Sequence, residues 1–264
     1  GLVEQWITVN PKQLSKLLAI DYKLWSESGG KYGRAPLVRG HPGIGKTEIV
    51  EQFSKEFDEF IVITLLNSDP TDFKGIPAII DHHAVWLAPD FMPEQDGKKR
   101  LIFFDDVTTA PPSVQAVLFR LLKSPEHDSG RYMKALGRNN FVILACNYRS
   151  DRAATYPLPL PVANRVNFYD LEVSADDWKA YAVSQDINPM LVAFIEKNPA
   201  HLLSLPKSTG EDSPYPTPRS WFAVSGFIED GASEDVILPG IAARVGIGIA
   251  TEFMAFRKFE KDIP

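Results

Sequence analysis

The chain holds a single cysteine, Cys146, in 264 residues. One thiol cannot form an intrachain disulfide, so a reducing compartment is the expectation, and Cys146 reads as a small buried residue of the apolar run Phe141 to Cys146. Nor is there a secretory leader pattern or an apolar stretch of bilayer-spanning length, and the sequence predicts a cytoplasmic protein without a membrane span. Positive charge is also scarce. Twenty-eight Lys and Arg face 34 Asp and Glu, for a formal net charge of -6. That balance, with no basic run, weighs against nucleic acid as the principal partner without excluding it. What remains, 44% hydrophobic and 23% charged residues, is ordinary for a globular chain with a full-sized core.

The most informative stretch runs from Val38 to Val50 and contains Gly40-His41-Pro42-Gly43-Ile44-Gly45-Lys46-Thr47-Glu48. A glycine, four residues and then Gly-Lys-Thr is the spacing of a phosphate loop, and the flanks suit it: Ala35 to Val38 reads as a buried strand and Thr47 to Phe57 as a helix. Glycines 40, 43 and 45 let the backbone curl so that its amides and the helix N-terminus surround a polyphosphate. The predicted nucleotide-binding residues are therefore His41, Pro42, Gly43, Ile44, Gly45, Lys46, Thr47 and Glu48. Lys46 would reach the β- and γ-phosphates, and the Thr47 hydroxyl would hold Mg²⁺.

Four further apolar runs read as buried strands: Phe60 to Leu66, Arg100 to Phe104, Phe141 to Cys146 and Val166 to Leu171. Alternating with helical segments, they predict an α/β fold with a parallel five-stranded sheet flanked by helices, its ligands at the carboxyl ends of the strands. Asn10-Pro11 marks a helix start that runs to about Trp25. Past Val173 the pattern turns helical, with starts at Ser174 and Asn188-Pro189 and two more helices near 219–228 and 238–259. The expected division is a nucleotide-binding subdomain over 1–172 and a helical lid over 173–264.

The strand beginning at Arg100 ends in Asp105-Asp106. In a phosphate-loop protein such a strand brings its first carboxylate beside Mg²⁺, which assigns Asp105 to the metal with Thr47 and leaves Asp106 to orient or deprotonate the attacking water. Asn147, directly after the fourth strand, is either a second water-positioning group or a turn residue.

These residues resemble the AAA+ ATPases and, within them, the MoxR-like group. Besides the phosphate loop the likeness rests on Asp105 to Gln115, Ala145-Cys146-Asn147-Tyr148-Arg149, Leu160 to Val166 and Pro216 to Trp221. The resemblance implies an AAA+ core with a C-terminal lid, binding of ATP or ADP with Mg²⁺, and ATP hydrolysis. Asp105 and Asp106 match the family's second nucleotide motif, Asn147 its polar sensor, Arg165 the arginine offered to a neighbouring subunit's γ-phosphate, and Arg219 the lid arginine. Arg149 and Arg152 compete with Arg165 for the role in trans. One departure is Asp106, where many family members carry glutamate. The segment from Asp72 to Pro77, followed by a hairpin with Trp86, resembles the MoxR-like insert facing the ring centre or substrate side. The implied assembly is a homo-oligomer, a hexameric ring, acting on a protein client of the von Willebrand factor A type. Two other readings remain open: a nucleotide-gated scaffold with little hydrolysis, and a DNA-directed motor.

Overall fold

A computed structural model describes residues 5–27, 33–65, 76–80, 83–87, 96–122, 139–151, 155–206 and 212–262. The chain forms two compact units: Gly1–His41 with Lys46–Leu171, and Pro42–Gly45 with Glu172–Pro264.

The first unit is built on β1 (Ile7–Val9), β2 (Ala35–Arg39), β3 (Glu59–Thr64), β6 (Arg100–Asp105), β7 (Asn140–Cys146) and β8 (Val166–Leu171). Two more strands, β4 (Ile76–Ile80) and β5 (His83–Leu87), pair as a separate antiparallel hairpin, with Pro77 opposite Trp86. The six form one sheet in the order β1-β8-β2-β7-β6-β3, and every neighbouring pair is parallel. All seven residues of β7 are buried, as the continuous apolar run requires of a central strand covered on both faces. Edge strand β3 instead has only half-buried and exposed positions.

Among the described residues six strands, not five, make the sheet. The extra one, β1, has three residues, and only Val9 is buried while Ile7 is 65% exposed. So short a run, with one apolar anchor, carries no readable alternation. Helix α1 (Pro11–Glu27) follows it, and Asn10 caps it: the Asn10 carboxamide accepts from the Gln13 amide at 2.8 Å while the Gln13 side chain accepts from the Asn10 amide at 3.0 Å. Buried Leu14, Leu18 and Trp25 hold α1 to the sheet, with the Trp25 indole N–H donating to the Asn140 carbonyl at 3.0 Å. Helix α2 (Lys46–Phe53) leaves the phosphate loop, and α3 (Pro112–Leu121) and the one-turn α4 (Leu160–Ala163) complete the helices described in this unit.

The second unit contains α5 (Ala175–Ser184), α6 (Pro189–Lys197), α7 (Pro218–Glu229), α8 (Glu234–Val245) and α9 (Ile247–Lys261). Ser174 and Asp177 form a reciprocal capping box, and the Asn188 side chain caps α6 by accepting from the Met190 amide. Sequence periodicity predicts one helix over 238–259, but there are two, separated at Gly246 with φ 93°, where an L side chain is strained. Apolar periodicity runs through the break because both helices pack on one core of Trp178, Leu191, Phe194, Trp221, Ile241 and Phe253. Among the described residues no helix is long and apolar enough to cross a membrane.

Candidate functional site

In the sheet order, β2 lies between β7 and β8, and the chain leaves it for a strand on the far side of β7. Such a switch point opens a crevice at the carboxyl ends of the strands. The loop after β2 begins with the Gly40 amide donating to the Cys146 carbonyl at the end of β7, 3.2 Å away. Gly43 and Gly45 have φ of 75° and 115°, so two left-handed residues within three positions curl the backbone. Any side chain at Gly43 would be strained twice over, since a Cβ there would stand 2.6 Å from the Thr217 hydroxyl oxygen. The Gly43 carbonyl accepts from the Arg219 amide at 3.1 Å, which makes the loop tip part of the second unit's contacts around the start of α7.

Lys46, only 7% exposed, opens α2 with its ammonium turned back into the loop. It donates to the Gly40 carbonyl at 2.7 Å, the His41 carbonyl at 3.0 Å and the Asn147 side-chain oxygen at 2.7 Å. A buried cation needs such acceptors, and three are as many as an ammonium can engage. The structure thus brings Asn147, at the end of β7, against the phosphate-loop lysine.

Asp105 ends β6, next to β7, about 10 Å from β2 at the usual strand spacing. One of its oxygens accepts from the Asp106 amide at 2.8 Å. Asp106 itself has φ 57° and ψ 38°, and its carbonyl accepts from the amide and hydroxyl of Thr109 at 3.0 and 2.7 Å. Aspartate is one of the few residues besides glycine that visit this left-handed region readily, which gives a backbone reason for aspartate instead of glutamate at this position.

Arg165 does not join this cluster. It lies half-buried in the turn before β8, and its carbonyl accepts from the Ala35 amide at 3.2 Å. That places it at the opposite end of β2 from the loop, about 13 Å away along the strand. Arg149 is exposed and opens a single 3-10 turn, Arg149–Asp151. Arg152 and the segment 72–75 lie outside the described residues.

Sequence reading missed a group of long-range pairs around the same strand ends. Arg39, the last residue of β2, donates to both carboxylate oxygens of Asp170 at 2.6 and 2.8 Å. Its guanidinium lies 3.8 Å from the Trp6 ring centre and 4.7 Å from that of Tyr148. The Asp170 contact raises the Arg39 pKa further above its already high value. Next to Tyr148, at 4.6 Å between ring centres, lies His41, whose Nδ1 sits 2.9 and 3.2 Å from the two oxygens of Asp151. Burial pushes the neighbouring Cys146 thiol up to about 12, which removes it as a nucleophile. Arg39 and Asp170 stand 131 positions apart and His41 and Asp151 110, and no spacing rule joins residues so distant, so neither pair has a local sequence signal.

As to Mg²⁺, no cluster of three or more His, Cys, Asp and Glu gathers among the described residues. The Thr47 hydroxyl and Asp105 carboxylate instead offer the sparse, hard oxygen set typical of Mg²⁺ held mainly by phosphates and water. The residues fit the ion.

Residues 36–153 match the family model of the AAA domain, dynein-related subfamily. Over that stretch, somewhat under half of its length, the chain is similar to AAA domains. No curated protein matches it by sequence. Among solved structures, a single-substitution variant of Thermotoga maritima RuvB superposes with a TM-score of 0.50 at 14% identity, over 92% of this chain and 68% of that one, a likeness of fold alone. A protein of Cytophaga hutchinsonii provisionally assigned as an ATPase matches 96% of this chain and 90% of its own at 14% identity, but its TM-score of 0.44 supports no inference. The match takes in the phosphate loop and the acids at the end of β6.

Proposed function

We propose that this chain is an AAA ATPase that binds ATP on residues 41–48 and hydrolyses it with Mg²⁺, in a MoxR-like ring that remodels a protein client. The observation that carries the reading is the Lys46 ammonium, buried at the loop mouth and bound to Gly40, His41 and Asn147. A nucleotide's phosphates replace some of those oxygens, so the lysine exchanges partners without being dehydrated afresh. Thr47 and Asp105 would hold Mg²⁺, which neutralises charge between the β- and γ-phosphates when bound. Asp106 orients the attacking water, and Asn147, released from Lys46, supports it. Arg219 reads the nucleotide from the start of α7.

Arg165, remote from its own loop, acts in the site of a second copy. An arginine delivered in this way stabilises the spreading phosphoryl charge and is worth ~10³ to 10⁵ in rate. A closed ring, hexameric in this reading, supplies each site with one. The client is a protein of the von Willebrand factor A type, and the site of action is the cytoplasm. The division into a nucleotide-binding subdomain over 1–172 and a helical lid over 173–264 belongs to the same proposal.

Titration with a fluorescent ATP analogue and steady-state hydrolysis test the reading. Lys46→Ala is expected to abolish binding, and specific activity should rise with protein concentration. Tight binding by Lys46→Ala moves the site elsewhere, and flat specific activity removes the arginine in trans. A second reading, a scaffold that hydrolyses little, draws on Asp106: its left-handed backbone suits the shorter acid, which reaches less far toward the water. Asp106→Asn with unchanged turnover would favour it.

A further inference from the structure

We infer that Asp151 is a positioning residue for ATP turnover: through His41 it keeps Asn147 in register with the phosphate loop once Lys46 has turned to the nucleotide. This rests on the hydrolytic reading above and concerns a residue to which that reading gives no part.

The argument starts from the number of protons on Lys46. Its three N–H groups go to the Gly40 carbonyl, the His41 carbonyl and the Asn147 side-chain oxygen, so the lysine itself ties the loop to the end of β7. An ammonium has three donors, and engaging a phosphate withdraws at least one of them from these oxygens. The tie between loop and Asn147 therefore weakens at the moment when Asn147 has to hold its place.

A second tie spans the same gap. The carboxylate of Asp151 has a side-chain exposure of 2%, and its two oxygens face the His41 Nδ1 at 2.9 and 3.2 Å. A carboxylate is an acceptor only, so the His41 nitrogen donates. One of the oxygens also accepts from the Tyr148 amide at 3.1 Å, and the Asp151 amide donates to the Tyr148 carbonyl at 3.0 Å. Asp151 thus grips a phosphate-loop side chain with one hand and the residue following Asn147 with the other. The Tyr148 ring, 4.6 Å from that of His41, fills the space between. Because none of these contacts uses Lys46, they persist when the lysine moves. A buried carboxylate with charge-assisted bonds to both segments is also stiff, as the placement of a water-orienting amide demands.

The expected signature is a split between binding and turnover. In Asp151→Ala the ATP analogue should bind within about threefold of wild type, while kcat falls about 10- to 100-fold, the scale of a misplacement near 1 Å. Asp151→Asn keeps an oxygen that accepts from His41 and should recover most of the rate. In kcat His41→Ala should match Asp151→Ala, and the double variant should be no slower than either, since both remove one contact. Equal losses in affinity and kcat, an undiminished kcat in Asp151→Ala, or effects that multiply in the double variant would overturn the inference. Should Asp151→Ala not fold, Asp151→Asn, His41→Ala and their double variant complete the same cycle. A wild-type chain that binds ATP without hydrolysing it removes the hydrolytic reading and this inference together, whereas a wild type that turns over beside an unaffected Asp151→Ala removes only the latter.

Discussion

At the carboxyl ends of β2, β7 and β8 polar and charged groups are matched with one another, Arg39 with Asp170, Lys46 with Asn147 and the loop carbonyls, and Asp151 with His41. At the centre of the second unit Phe194 meets Trp221 and Phe253 at 5.8 and 5.4 Å between ring centres, and the main polar tie is the Trp221 indole N–H to the His201 carbonyl at 2.8 Å. The first arrangement has alternatives within reach, because an ammonium or imidazole can exchange one oxygen for another at little net cost. The second has one solution set by shape. The first kind of arrangement can exchange partners, and the second holds its shape.

Breaking the apolar side should give the largest effect. Trp221→Ala removes a fully buried side chain and leaves the His201 carbonyl without its donor. A loss of about 3–5 kcal/mol is expected in urea unfolding. Next comes the loop tip: Gly43→Ala places a Cβ at φ 75° and 2.6 Å from the Thr217 hydroxyl oxygen. Strain and collision together should cost about 2–4 kcal/mol, with nucleotide affinity reduced in the same titration.

A smaller effect sharpens the comparison on the polar side. Asp21, 6% exposed on α1, accepts from the Tyr169 hydroxyl at 2.8 Å and the Asn167 amide at 3.0 Å. Asp21→Ala leaves both donors unmet and should cost about 1–3 kcal/mol, while Asp21→Asn should cost less. Burial outweighs the two donors and raises the Asp21 pKa. What Asp21 contributes is therefore complete below the ordinary aspartate value of about 3.9 and declines as pH climbs through the raised one. Asp21→Asn should gain on wild type over that climb, as urea midpoints across it would report. The least effect is expected from Tyr169→Phe, about 0.5–1.5 kcal/mol at pH 8. Burial, with Asp21 adding to it, holds the Tyr169 phenol above its usual range. Its share of stability is complete below about pH 10 and is lost as pH rises through the raised value, so the variant should flatten the alkaline decline.

How much of this was legible beforehand follows from the range of each interaction. The strands β2, β3, β6, β7 and β8 announce themselves as apolar runs, and the caps at Asn10, Ser174 and Asn188 act over three residues or fewer. The phosphate loop is local too, since its glycines and lysine fall within a few positions. β1 escapes because its three residues become a strand only by pairing with β8, and the break at Gly246 escapes because both flanking helices share one core. The left-handed backbone of Asp106 follows from how β6 ends, and aspartate alone does not announce it. His41 and Asp151 stand 110 positions apart, and only the sheet order makes them neighbours.

Cys146 draws one more consequence from that order. It is the chain's sole sulfhydryl, 1% exposed at the end of β7, with its ionisation pushed up to about 12. A thiol so placed ignores alkylating reagents while the strands stay shut, so the pace of its labelling is a built-in clock for how often the middle of the sheet comes apart.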